Sequence, residues 1–298
     1  MPNHRTRPRI FALLAILSAW MLPSAVSAQD APKPLHRPQL DVLVIAPHPD
    51  DEVIGCAGVM LQALAQHKNV GIVFLTNGDG FAALAAAAAK KEKDQITADD
   101  FIRAGALRQQ HAVRATARIG VPRGELMFLG YPDSGLEKIH ATDGDTPFQQ
   151  KFTLKSETYG VTARDYHSVA HGKPAPYVKA SVVGDLAEII RERQPREIYV
   201  TSEADKHADH RIAFSFVRDA VRSVNFRGDL FTYIVHGAPP SASPDRRVTL
   251  TAAQIKIKRS AIEDHQAGTS PVHDHLADEY MKPEELFWKI RVEPAAAK

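Results

Sequence analysis

Five short, almost wholly apolar runs constrain this chain more than any other feature: DVLVIA (41–46), VGIVFLT (70–76), ELMFLG (125–130), REIYVTS (196–202) and LFTYIVHG (230–237). A β-branched run without polar alternation is satisfied only where both faces of its sheet are covered. Helical patterns separate the runs, from about Asp51 to His67, then over 99–117, 178–193 and 209–223. Alternating βαβα order predicts a Rossmann-like three-layer α/β/α fold with a mostly parallel sheet, as a single domain over 40–293. No Gly-x-Gly-x-x-Gly follows any of the runs, so a dinucleotide fingerprint is lacking.

Thirty-seven basic against thirty-five acidic residues leave a net charge of +2, with no basic stripe beyond the first ten positions. That argues against nucleic acid and for small or neutral partners; no oligomeric state is legible. The N-terminus carries Arg5, Arg7 and Arg9, an apolar stretch from Ile10 to Leu22, and small residues ending at Val26-Ser27-Ala28. This reads as a signal peptide over 1–28, followed by a Pro-rich linker over 29–39. The product is expected to be exported, periplasmic or secreted, with no membrane span after cleavage. The single cysteine, Cys56, allows no internal disulfide and falls on the apolar face of a helix, where packing is its expected role.

Two stretches lack a clear place in the βα order. Residues 81–100 are Ala-rich and then charged, which predicts an exposed surface helix. Residues 136–177 show no period, and a loop of that length suggests a lid on the substrate side.

Ligands of an open parallel sheet gather beyond the carboxyl ends of its strands, so polar residues there are the ones to weigh. Three ends qualify. After the first run comes Pro47-His48-Pro49-Asp50-Asp51-Glu52, where the prolines hold His48 extended and the crowded carboxylates invite a cation or a helix N-terminus. After the third comes Asp133, in a turn made by Pro132 and Gly135. After the fourth, EADKHADHRIAF (203–214) sets His207 and His210 three apart at the start of a helix, with Asp209 placed to accept from an imidazole N–H. His48, one carboxylate and His210 would make a two-His, one-carboxylate set with a position open for water. That donor count suits catalytic Zn2+, the expected ion, and also Fe2+. A lone histidine is more often a surface or capping residue, but two motifs at buried strand ends favour a site.

In series, PHPDDE, FLTNGD (74–79), the helix around Arg108, FLGYPDSGL (128–136), HADHR and the C-terminal KRSAIEDHQ and EELFW resemble the LmbE-like (PIG-L) family of zinc-dependent N-deacetylases. The resemblance implies that His48, Asp51 and His210 bind zinc, that Asp50 is the general base, and that His207, held by Asp209, is the acid or electrostatic stabiliser. It also implies that Arg108 and Asp133 face the substrate, an N-acetylated amino sugar, free or within a glycan or glycoconjugate. Many members carry Arg-x-x-Glu on that helix where this chain has Arg108-Gln109-Gln110-His111, a departure that bears on the substrate and not on the metal. For protonating the leaving amine there are two routes: His207 with its pKa raised by Asp209, or Asp50 carrying the proton both ways while His207 stabilises the oxyanion. Two other readings remain: a catalytically weak periplasmic carbohydrate-binding protein of the same fold, and a metal-dependent phosphoesterase, which would want more ligands. Tyr131, Tyr166, Trp288 and His265 could line a sugar subsite, although packing is the commoner role for such residues.

Overall fold

A computed structural model describes Met1 and residues 38–141, 144–267, 272 and 274–292. The expected signal peptide, apart from Met1, and nearly all of the expected linker lie outside the described residues. Among those described, no helix is long and apolar enough to cross a membrane.

Each of the five apolar runs is a strand: β1 (Val42–Ala46), β2 (Val70–Thr76), β3 (Leu126–Tyr131), β4 (Glu197–Thr201) and β5 (Asp229–Tyr233). They pair in parallel, in the order β3-β2-β1-β4-β5. Within β1 the run alternates even though every residue is apolar. Val42, Val44 and Ala46 enter one core, and Leu43 and Ile45 enter the other. Helices α1 (Asp51–Ala65), α3 (Ala98–Ile119) and α8 (Ala252–Asp264) cover the first face, and α6 (Lys179–Arg193) and α7 (Ala208–Ser223) the second. These are the three layers expected.

The C-terminal part adds what the apolar runs did not signal. Strands β6 (Arg246–Thr249) and β7 (Glu284–Ile290) extend the sheet antiparallel, in the order β5-β7-β6. β7 is fastened to α1 by Glu285, which accepts from the Gly58 and Val59 amides and pairs with buried Lys258 at 2.7 Å. A Cβ on Gly58 would meet the Glu285 carboxylate at 2.9 Å, so the approach requires glycine. Cys56 is fully buried in the first core, as its helical position suggested.

Two expectations fail. Residues 81–100 are not one solvated helix: α2 (Ala82–Ala89) buries Leu84 and Ala85 against Phe101 and Ala104 of α3. The charged residues that follow form a turn, and Thr97 with Asp100 then makes a capping box that starts α3. Alanine propensity cannot distinguish a helix that packs from one that does not. Residues 136–177 hold the short helices α4 (Leu136–Ala141) and α5 (Tyr166–His171), and none of the described ones lines the cavity at the strand ends. They brace the ends of β2 and β3 instead: Tyr177 Oη donates to the Gly130 carbonyl, Tyr159 Oη to Asp79, and Gln150 Nε2 to the Asp133 carbonyl.

Candidate active site

Strand order reverses between β1 and β4, since the chain runs outward through β2 and β3 before returning on the other side of β1. The loops after these two strands therefore diverge and leave a crevice between them. His48, Asp50 and Asp51 follow β1; Asp205, His207 and His210 follow β4. This topology is what joins motifs about 160 residues apart.

The β1 turn is held tightly. Asp50 sits at φ 153° and is the cap of α1, with its N–H donated to Glu52 Oε2 at 2.9 Å. Thr76 fixes the turn from β2, since both its N–H and its hydroxyl donate to the Pro47 carbonyl. Asp51 enters the first turn of α1, where a carboxylate is favoured by the helix N-terminus. Its Oδ2 accepts the His48 N–H.

Three donor atoms then meet. His48 Nδ1 lies 3.3 Å from Asp51 Oδ2, His210 Nε2 lies 3.3 Å from the same oxygen, and the two nitrogens are 3.2 Å apart. Ligands about 2.0–2.1 Å from a tetrahedral zinc stand roughly 3.3 Å from one another, so the triangle is of the size such an ion requires. The second nitrogens are braced by acids. His48 Nε2 faces Asp209 and Asp133 at 3.3 and 3.4 Å, and His210 Nδ1 faces Asp205 at 3.3 Å. This is how metal-binding histidines are usually oriented.

The electrostatics agree. Burial alone would lower both imidazoles, but Asp133, Asp209 and Asp51 hold His48 well above its ordinary value. Asp51 and Asp205 likewise bring His210 up to about 9. Burial would raise Asp51, yet His210 and His48 keep it well below the usual carboxylate range. The site thus favours two positive charges, which a divalent cation would supply with both rings neutral.

Asp50 and Asp51 diverge as neighbours must. Asp50 Oδ2 pairs with Arg108 Nη2 at 2.8 Å on the cavity side. Arg108 reaches it by passing against Gly78, whose φ of 67° and missing Cβ leave room for the guanidinium. Asp133 accepts from the Gly80 amide and the Ser134 hydroxyl, and His48 and Arg108 keep its carboxyl depressed against the effect of burial. Arg108, Asp133 and His207 all line a cavity of about 570 Å³ over the donor triangle.

Two sequence expectations are corrected. Asp209 does not hold His207: its carboxylate faces His48 and accepts the Ser134 and Leu136 amides, because the first turn of α7 points it toward β1. His207, at the cap of α7, keeps a buried Nδ1 with no hydrogen-bond partner among the described residues. Burial, with His48 and His210 nearby, pushes it down to about 4 instead of raising it. Of the aromatic candidates, Tyr131 is fully buried and donates to Asp185, and His265 is buried 3.5 Å from Glu52. Neither lines the cavity, nor does Tyr166; Trp288 lines a neighbouring one.

The sequence reading missed Asp205 and His236. Asp205 accepts the His207, Val235 and His236 amides besides bracing His210, and it sat unused within the EADKHADHR motif. His236 lies in the cavity wall, its ring centre 4.8 Å from that of His210. It follows β5, so the same strand-end rule could have found it.

Fold and site together define the class: a doubly wound α/β protein with a two-His, one-carboxylate donor set at its switch point. The family model described as PIG-L, GlcNAc-PI de-N-acetylase, matches residues 43–221, and the chain belongs to that family. No curated protein matches it. Among solved structures, the conserved protein TT1542 from Thermus thermophilus is 21% identical, covering 87% of this chain and 98% of that one with a TM-score of 0.53. The N,N'-diacetylchitobiose deacetylase from Pyrococcus horikoshii is 18% identical over 84% and 83%, with a TM-score of 0.53. GalB, the 4-carboxy-2-hydroxymuconate hydratase from Pseudomonas putida, is 14% identical over 87% and 100%, with a TM-score of 0.54. At these identities the likeness is one of fold.

Proposed function

We propose that the protein is a divalent-metal-dependent N-deacetylase that removes the acetyl group from an amino sugar, free or within a glycan or glycoconjugate. The observation that carries this is the donor triangle of His48, Asp51 and His210, opening on a cavity whose wall also holds Asp50 and His207. Family membership supports the reaction, and the diacetylchitobiose deacetylase supports the substrate class. These three residues would hold Zn2+, or Fe2+; when bound, such an ion polarises an amide carbonyl and brings the pKa of water down from about 15.7 toward 7.

Asp50 takes the proton of the attacking water, its free direction set by the Arg108 pair and by the Glu52 lock on its backbone. His207 is neutral at working pH, so it donates an N–H to the oxyanion and is not an imidazolium acid. Asp50 then returns its proton to the leaving amine, the second of the two routes open from sequence. Arg108 and Asp133 give the sugar a polar wall. The signal-like N-terminus supports a substrate in the envelope or outside the cell.

The test is zinc-loaded protein against a panel of N-acetylated sugars and chito-oligosaccharides, with acetate and free amine both measured. Activity that survives complete metal removal refutes the reading. Because GalB shares the fold, a hydratase is the alternative worth an assay: it would consume an alkene and release no amine. A binding protein that had lost catalysis would lack a ligand or the base, and all four residues are present; a two-metal phosphoesterase would release phosphate.

A further inference from the structure

A second cavity, of about 430 Å³, adjoins the catalytic one and shares Ile54, Val235 and Tyr280 with it. Tyr233, Leu286 and Trp288 form much of the rest of its apolar wall. Its two buried charges are satisfied within the protein, since Lys258 pairs with Glu285 and Glu285 accepts two α1 amides. Apart from Ile54 and Gly55, its walls come from beyond residue 221, outside the stretch that the family model matches.

The shared residues stand beside the donor triangle. Ile54 is one helical turn after Asp51 on α1. Val235 precedes His236, and the Tyr280 hydroxyl lies 3.1 Å from His236 Nδ1. The other side of the catalytic cavity is polar, with Arg108, Asp133 and Ser134. An amide held at the triangle has two arms, a hydroxylated one on nitrogen and a hydrocarbon one on the carbonyl carbon. Each side of the cavity matches one of them.

We infer that the second cavity receives the acyl chain, so that the protein hydrolyses N-acyl amino sugars with chains longer than acetyl. This rests on the deacetylase reading and extends it. The chemistry is unchanged: the C–N bond breaks, the oxygen of water joins the acyl carbon to give a carboxylate, and the amine leaves protonated. Only the partner of the carbonyl carbon differs. Burying each added methylene in an apolar cavity tightens binding by up to about fourfold.

The experiment uses zinc-loaded protein with N-acetyl-, N-butyryl-, N-hexanoyl- and N-octanoylglucosamine, reading kcat/KM by amine release and Kd by calorimetry. Both are expected to improve with chain length until the cavity is full. In Leu286→Trp, which places an indole in the cavity from a half-buried strand position, the octanoyl-to-acetyl ratio should fall toward one; Leu286→Phe gives a smaller fall and serves if the larger variant does not fold. Affinity that is flat or weakens with chain length overturns the inference, as does a ratio unaltered by either substitution. Binding that tightens with length while no compound is hydrolysed refutes the deacetylase reading and leaves the acyl cavity standing.

Discussion

Glu52 offers the sharpest test of how the β1 turn prepares the base. Its carboxylate is fully buried; Oε2 accepts the Asp50 N–H at 2.9 Å, and Oε1 faces His265 at 3.5 Å. Asp50 itself is held at φ 153°, a backbone region costing about 1–3 kcal/mol that persists only when its surroundings enforce it. Glu52→Gln keeps an oxygen for the amide, whereas Glu52→Ala removes it. The difference between these variants is a lost acceptor for a part-buried N–H plus a buried methylene, together up to about 4 kcal/mol of stability. A second consequence is pH-dependent. Burial raises the Glu52 pKa above its ordinary 4.5, so ionisation is costlier folded than unfolded. Gln should therefore stabilise relative to wild type increasingly as pH climbs above about 4.5 and through the raised value, and not below. For catalysis, a shift of about 1 Å in the base costs on the order of a hundredfold. The assay is kcat for amine release beside metal content and a denaturant melt for each variant. Glu52→Ala should bind zinc, lose about a hundredfold in kcat and melt earlier, with Glu52→Gln keeping most of its turnover. Full kcat in zinc-loaded Glu52→Ala would show that Asp50 is positioned without this contact and would refute the reasoning.

Asp50→Asn should retain metal while losing about 10²–10⁴-fold in turnover, whereas His48→Ala should lose the metal itself, as elemental analysis beside the amine assay will show. Asp209→Asn should weaken metal affinity by about 10–100-fold through His48, measured by chelator competition; an effect on rate at saturating metal alone would return Asp209 to His207. His207→Ala should lower kcat about 10²–10³-fold with little change in KM, and wild-type kcat should show no His207 inflection between about pH 5 and 8, because the ring is neutral above about 4. In metal-free protein the raised His210 contributes stability that is complete below its unfolded pKa of 6.5 and is lost as pH rises through about 9. Its melting temperature should fall over that window, while zinc-loaded protein, needing no proton there, should not follow.

Much of the fold was legible because its strands are buried on both faces and so are written as unbroken apolar runs; β1 to β5 and the helices α1, α6 and α7 lie close to where those runs and periods put them. β6 and β7 escaped because they form an antiparallel edge where residues such as Arg246, Arg247, Glu284 and Lys289 interrupt the pattern. α2 was seen as a helix and misplaced to the surface, since the small apolar Ala85 fits either environment until Phe101 is known to be beside it.

For the site, local sequence determined the chemistry on offer: a rigid His48-Pro-Asp50-Asp51 turn after one strand, and His207, Asp209 and His210 at a helix start after another. Only the tertiary structure decided which atoms meet. Strand order laid β1 against β4 and closed the triangle, and the direction of the first turn of α7 gave Asp209 to His48 in place of His207. The physical reason is that residue type and spacing fix which groups a strand end presents. The partner of a buried donor is set by which elements pack across the crevice, and that depends on contacts between residues far apart in the chain.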